Sequence, residues 1–205
     1  MILNLRKHDT ATQVAVRYGE LDDLSFIDHW EDVVSGDRNP IRLDAVLFAR
    51  LAIKRYRAHH RFETYATNVD EIADFTRDNP QAEVANLVLL ESDSPEFAPT
   101  IGVCHFRRTW CNNLVIDYLS VHPLLARPRD QTPIKGSGTA LLYFVSTVAI
   151  MTGAALLWGE ATQNSCTFYQ KAFHLDETKD LIYAPRKNVE EFVHYMQNQY
   201  GYPIQ

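Results

Sequence analysis

The segment Lys135-Gly136-Ser137-Gly138 stands at the head of an apolar run that continues to Met151. Two glycines spaced by one residue let a backbone come close to a ligand. At the start of a helix the first N–H groups have no intrahelical partner and point outward. The helix dipole then favours an anion by about 0.3–1 kcal/mol, up to about 2 when partly buried. Lys135 adds a cation. A pyrophosphate is the guest that suits this chemistry, held by the backbone of Gly136, Ser137, Gly138 and Thr139. A plain glycine turn before a core helix would use the same residues. Two sharper rivals fail on spacing. A dinucleotide-binding GxGxxG needs glycine where Leu141 stands, and a strand directly before the turn. A P-loop needs a Gly-Lys-Ser/Thr that the segment lacks.

Asp117 is the second residue whose type invites chemistry. It lies in the strand-like run Leu114–Val121, among Val115, Ile116 and Tyr118. A charge there is costly if buried unpaired, so it is a base, a contact for a cationic substrate, or half of an ordinary ion pair. Period-two alternation places it on one face with Leu119 and Val121. His59, His60, His105 and His122 form no metal-ligand spacing, and Cys104, Cys111 and Cys166 contain no CxxC, so no metal is expected. Lys54, Arg55, Arg57 and Arg61, with His59 and His60, make a basic cluster on or just after one helix. It is a solvated face or a site for an acidic substrate or partner.

These residues need elements to position them. Thr12–Tyr18 alternates as a strand. Asp22-Asp23 leads into a helix through Leu24, Phe26, Ile27 and Trp30, carboxylates suiting a helix N-terminus. A longer helix follows from about Leu43 to His59. Val84–Glu91, Thr100–Trp110 and Leu114–Val121 read as three strands in an antiparallel meander, with Cys111-Asn112-Asn113 as a tight hairpin turn. A loop spans 122–135. Gly136–Met151 is a buried helix stopped by Gly153. Ala155–Trp158 is a short strand buried on both faces. Asn164–Ala172 is a helix, 180–184 a late strand, and Val189–Gln199 a helix ending near Gly201. The order is α+β, shading to α/β, in one domain over 1–205.

Three stretches in this order resemble a known family. Leu119-Ser120-Val121-His122-Pro123 followed by Gly136-Ser137-Gly138-Thr139-Ala140-Leu141-Leu142 is similar to motif A of the GNAT superfamily of acetyl-CoA-dependent N-acetyltransferases, whose signature is Gln/Arg-x-x-Gly-x-Gly/Ala. Asn164 to Phe173, with Phe168-Tyr169-Gln170-Lys171, resembles motif B. Ala15 to Asp23 resembles the first strand and helix entry. Pro133 stands at the Gln/Arg position, with Gln131 two residues earlier; Ala172 replaces a usual glycine; and the loop carrying Arg127, Arg129 and Lys135 is longer than the family norm.

The resemblance implies a GNAT-type fold: a mixed sheet with an antiparallel N-terminal meander, splayed parallel strands and helices on both faces. It implies acetyl-CoA as cofactor, its pantetheine arm paired with the backbone of Leu119, Ser120 and Val121 beside the strand Ala155–Trp158. An acetyl or short acyl group would pass to a primary amine by direct attack in a ternary complex. Placement of the two reactants is itself a large share of such catalysis. Tyr169 matches the tyrosine that returns a proton to the leaving thiolate. Asp117 or Glu160, at the end of the second strand, would be the base. Asn164 would bond the pantetheine amides or cap its helix. A non-catalytic CoA-binding or regulatory module on the same fold is the alternative, and a nucleotide-cofactor oxidoreductase a more distant one.

Composition narrows the class. Hydrophobic residues are 46% and charged residues 22%, values of a packed globular chain. A net charge of −6 opposes general nucleic-acid binding and mildly suits a cationic amine, small or peptidic. No apolar run approaches the roughly 20 residues of a membrane span, and the N-terminal run is too short for a signal peptide. A reducing, cytoplasmic setting is expected, and a homodimer is compatible with all of this.

Overall fold

The computed structural model describes residues 1–7, 10–94, 97, 99–126 and 133–203. Arg127, Arg129 and Gln131 lie outside these. In chain order the elements are β1 (Ile2–Lys7), β2 (Thr10–Tyr18), a 3-10 turn (Leu21–Ser25), α1 (Phe26–Val33), α2 (Pro40–Arg61), α3 (Val69–Asp78), β3 (Val84–Ser92), β4 (Thr100–Arg108), β5 (Leu114–Val121), β6 (Ile134–Lys135), α4 (Ser137–Met151), β7 (Leu156–Glu160), α5 (Cys166–Ala172), β8 (Leu181–Pro185) and α6 (Arg186–Tyr200). The strands form one sheet in the order β6-β1-β2-β3-β4-β5-β7-β8. Neighbours are antiparallel except β5 and β7, which run parallel. The expected mixed sheet, with its antiparallel meander first and its parallel pair later, is the observed one.

Local chemistry explains the boundaries. Asn112 sits at φ 57° in the β4–β5 hairpin, a conformation Asn tolerates better than most residues. Asn39 caps α2 by accepting from the Ile41 N–H, with Pro40 in the first turn, where its missing N–H costs nothing. Gly153 and Gly201 adopt positive φ just past α4 and α6, as helix stops do. Helix α4 is apolar all round, with buried residues from Ala140 through Ala149. A helix of that kind must be covered on both sides. It lies between the sheet and α6.

The sheet separates two cores. On one face α4, α5 and α6 pack on Val88, Leu90, Ile101, Cys104, Phe106, Leu114 and Ile116. On the other, α1 and α2 pack on Leu87, Leu89 and Val103, around the fully buried Trp30 and Tyr56. Trp30 Nε1 donates to the Thr100 carbonyl at 3.1 Å, and the Tyr56 hydroxyl to the Gly19 carbonyl at 3.0 Å. Both polar atoms are therefore satisfied where burial would otherwise be costly.

Six elements depart from the sequence reading. β1, β6 and α3 were not expected. The first helix opens as a 3-10 turn and becomes α only from Phe26. The strand read as buried on both faces, β7, has only alternate residues buried, Leu157 and Gly159. The helix read from Asn164 begins at Cys166, and Ser165 is its cap residue.

Candidate functional site

Helix α4 begins on a turn with no side-chain cap. Its cap residue Gly136 has φ 96° and ψ 5°, which L side chains rarely adopt. The first intrahelical bond is from Ala140 N to Gly136 O at 2.8 Å. The N–H groups of Ser137, Gly138 and Thr139 are left for another partner. Ser137 is 4% exposed, and its hydroxyl is buried with no hydrogen-bond partner among the described residues. The turn is fixed from the far side of the sheet: β6 pairs with β1, Arg6 opposite Lys135. Lys135 is half-buried at this edge.

Strands β5 and β7 pair only at Leu114–Leu157, Val115–Trp158 and Ile116–Gly159. β5 runs five residues further, to Val121, with no strand partner on that side. The two strands thus fork after Ile116. Gly159 is needed at the last rung, because a Cβ there would meet the Ile116 carbonyl oxygen at 2.7 Å. The unpaired stretch includes Leu119, Ser120 and Val121. Ser120 is anchored by its hydroxyl, which donates to the Ala45 carbonyl of α2 at 2.8 Å.

The start of α4, the open part of β5 and α5 converge at this fork. A Cβ on Gly138 would lie 3.8 Å from Phe168 Cζ and 3.9 Å from Leu119 Cδ2. The start of α4, the unpaired part of β5 and α5 are therefore in contact. Tyr169 is 5% exposed and stacks edge-on against Phe168 at 4.9 Å between ring centroids. Burial, with a smaller contribution from Cys104, pushes its phenol well above the usual range. It is a neutral O–H at any physiological pH. Glu160 ends β7 at the open side of the fork and is exposed. Asn164 is exposed in the turn before α5 and does not cap it.

Asp117 requires a correction. It does not share a face with Leu119 and Val121. The β4–β5 register shifts between His105 and Phe106: His105 faces Tyr118, Phe106 faces Ile116, and Asp117 is the extra residue of a bulge. The bulge resets the alternation. Leu119 and Val121 pack toward the α4 core, while Asp117 turns to the α2 face. There it accepts from Arg107 Nε at 2.7 Å, Arg107 Nη2 at 3.1 Å and His105 Nδ1 at 3.0 Å. Arg55 Nε from α2 lies 3.4 Å from Asp117 Oδ2, an ion pair without hydrogen-bond alignment. Burial alone would raise this carboxyl. The bonds from His105 and Arg107 outweigh it and hold the carboxyl at about 2. A carboxylate that acidic, with both oxygens engaged, is a weak base.

His105 and Arg107 project with Asp117 on the α2 face, and the sequence reading assigned neither a role. Their spacing by two within β4 was the available signal. The basic cluster of α2 contributes Arg55 to this network. His59 is tied to Thr64 Oγ1 at 2.9 Å, and His60 stacks on Tyr65 at 4.3 Å. An open groove of about 560 Å³ lies at the C-terminal end of α2, lined among others by Tyr56, His60, Tyr65 and Glu71. None of the residues expected to hold the cofactor lines it. Among the described residues, no group of three or more His, Cys, Asp or Glu is placed to hold a metal ion.

No family model matches the sequence, and no curated protein is significantly similar to it. Solved structures do match. A protein of the GNAT family from Desulfovibrio desulfuricans is 16% identical, with a TM-score of 0.49 over 84% of this chain and 99% of its own. A GNAT-family acetyltransferase from Staphylococcus aureus Mu50 is 9% identical, with a TM-score of 0.48 over 84% of this chain and 99% of its own. YncA of Salmonella typhimurium, whose structure holds acetyl-CoA as its cofactor, is 12% identical, with a TM-score of 0.47 over 84% and 94%.

Proposed function

We propose that the chain is a GNAT-type N-acyltransferase that moves an acetyl or short acyl group from CoA to a primary amine. One observation carries the reading. The uncapped start of α4, with the buried and unpartnered Ser137 hydroxyl, opens onto a fork where β5 has lost its strand partner. The donors left over match a pyrophosphate, and the bare strand edge matches the amides of a pantetheine arm. These are two chemically different parts of CoA, joined in this order.

Bound acetyl-CoA would supply an activated acyl carbon as a thioester. The chain's own groups do the rest. The N–H groups of Ser137, Gly138 and Thr139 hold phosphate oxygens, helped by the Ser137 hydroxyl and Lys135, while Gly136 shapes the turn. The backbone of Leu119, Ser120 and Val121 pairs with the arm and aims the thioester at the fork. Tyr169 holds a proton that a departing thiolate can take, since a phenol raised by burial stays protonated until an anion is presented to it. Asn164 and Glu160 stand at the open rim, in reach of an arriving acceptor. The acceptor is a small or peptidic amine. Among the described residues no helix is long and apolar enough to cross a membrane, and the proposed setting is cytoplasmic.

Calorimetric titration with acetyl-CoA tests the reading. At 100-fold excess over Kd, binding adds about 2.7 kcal/mol to stability. At about 2–4 °C per kcal/mol for a chain of this size, Tm rises roughly 5–11 °C. No heat and no shift would refute it. Binding without thioester cleavage across a broad amine set would favour a CoA-binding regulatory module instead.

A further inference from the structure

Resting on the acyltransferase reading, we infer that His105, not Asp117 or Glu160, takes the proton from the attacking amine, with Asp117 as the residue that positions it. His105 is fully buried, and its two ring nitrogens have unlike surroundings. Nδ1 lies 3.0 Å from Asp117 Oδ2, while Nε2 is buried with no hydrogen-bond partner among the described residues. Asp117 is ionised and can only accept, so Nδ1 carries the hydrogen. In the neutral ring Nε2 is then a bare lone pair in a buried site.

The charged state is opposed from three sides. Desolvation comes first, and Arg55 of α2 and Arg107 of β4 add positive charge, against the single Asp117 carboxylate of β5. Arg107 is also shared with Glu83 at 3.2 Å. His59 of α2, half-buried with its ring centroid 6.0 Å away, and Tyr118 of β5, opposite it across the strands, are the other described titratable groups facing the ring. His105 therefore stays neutral and can accept. A buried acceptor with no donor among the described residues is a site for a water or a ligand donor. An amine N–H relayed through water is such a donor.

The position suits the step. His105 faces Tyr118, the first residue beyond the bulge, and the fork opens one strand away. The fork lies on the far side of β5, so an arm paired there runs two strand spacings, roughly 9–10 Å, from β4, and the imidazole reaches an amine over the α2 face through water. When the amine nitrogen bonds to the acyl carbon, it loses its proton through water to His105 Nε2. The C–S bond breaks, and the departing thiolate takes the proton of Tyr169. The proton on His105 then passes to solvent, and Tyr169 is reprotonated from solvent.

Two measurements test this. Long-range ¹H–¹⁵N NMR on the wild-type protein alone reads the tautomer. A neutral ring protonated on Nδ1 at pH 7 is expected, and one protonated on Nε2 would overturn the inference. Turnover of acetyl-CoA with spermidine, phenethylamine and free amino acids is then compared for the wild type and His105→Gln. The variant should bind acetyl-CoA within twofold of the wild type, yet lose about 10²–10⁴-fold in kcat. Its residual rate should rise with pH, where the wild type is flat. Equal kcat with a shared pH profile would overturn the role of His105 alone and leave acyl transfer standing. Binding with no turnover of any amine by the wild type would overturn it too. Failure of the wild type to bind acetyl-CoA would overturn the acyltransferase reading itself.

Discussion

Replacing Asp117 by Asn should destabilise the fold in a way that depends on pH. The carboxyl is 9% exposed and held by Arg107 and His105, so its acidity moves from 3.8 to about 2 on folding. At about 1.4 kcal/mol per tenfold change, that is about 2.5 kcal/mol of stability. Leaving Arg107 and Arg55 without their counter-charge pushes the loss toward the roughly 3–5 kcal/mol of a broken buried pair. Because the folded carboxyl is more acidic than the unfolded one, the stabilisation is complete above about pH 4. It fades as pH falls through about 2. Urea unfolding of wild type and Asp117→Asn, followed from pH 7 down to pH 2.5, measures the gap. It should be at least about 2 kcal/mol at pH 7 and should narrow below pH 4. A gap under about 0.5 kcal/mol at pH 7, or one that stays constant with pH, would show that the network around Asp117 does not hold as described.

Other substitutions probe the fork and the turn. Gly159→Ala places a Cβ 2.7 Å from a backbone oxygen of β5, so it should cost more than about 2 kcal/mol in chemical denaturation; wild-type stability would mean the strands are not this close. Ser137→Ala removes a buried, unsatisfied hydroxyl. It should leave the free protein as stable or up to about 1 kcal/mol more so, while weakening acetyl-CoA binding by calorimetry; a destabilised free protein would mean the hydroxyl already has a partner. Gly136→Ala forces a side chain into positive φ and should lower stability by about 1–2 kcal/mol, read as a drop in Tm. Tyr169→Phe should bind acetyl-CoA as the wild type does but turn over more slowly, and an unchanged kcat would remove the phenol from proton return.

The sequence disclosed the features written in local chemistry. The Gly136–Gly138 turn, the Asn112 hairpin and the stop at Gly153 are each a backbone need met by a residue suited to it, and all are where they were expected. Helix α3 carried equally local signals, Asn68 as cap and Asp70 and Glu71 in the first turn, and was still missed, because its apolar stripe is thin and only Ile72 is buried. β6 has two residues and no pattern of its own; it exists because β1 offers an edge. The face of Asp117 was misjudged because alternation assumes an unbroken ladder, and a bulge is set by the partner strand. The ion network joins α2, β4 and β5, so no spacing within one segment announces it. The orphaned nitrogen of His105 is legible only once its neighbours are in place.

The pairing of Arg6 with Lys135 has a consequence for how the protein reaches its native state. The short strand that sets the Gly136–Gly138 turn is closed by a contact between residues about 130 positions apart in sequence. Contacts of that separation pay their loop-closure entropy before they return anything. The turn should therefore be among the last parts to lock during refolding, after the local hairpin of β4 and β5. In pulse-labelling hydrogen exchange, the amides at the start of α4 should gain protection later than those of β4. A ligand that needs the finished turn would then act late as well, favouring chains that have already completed their sheet.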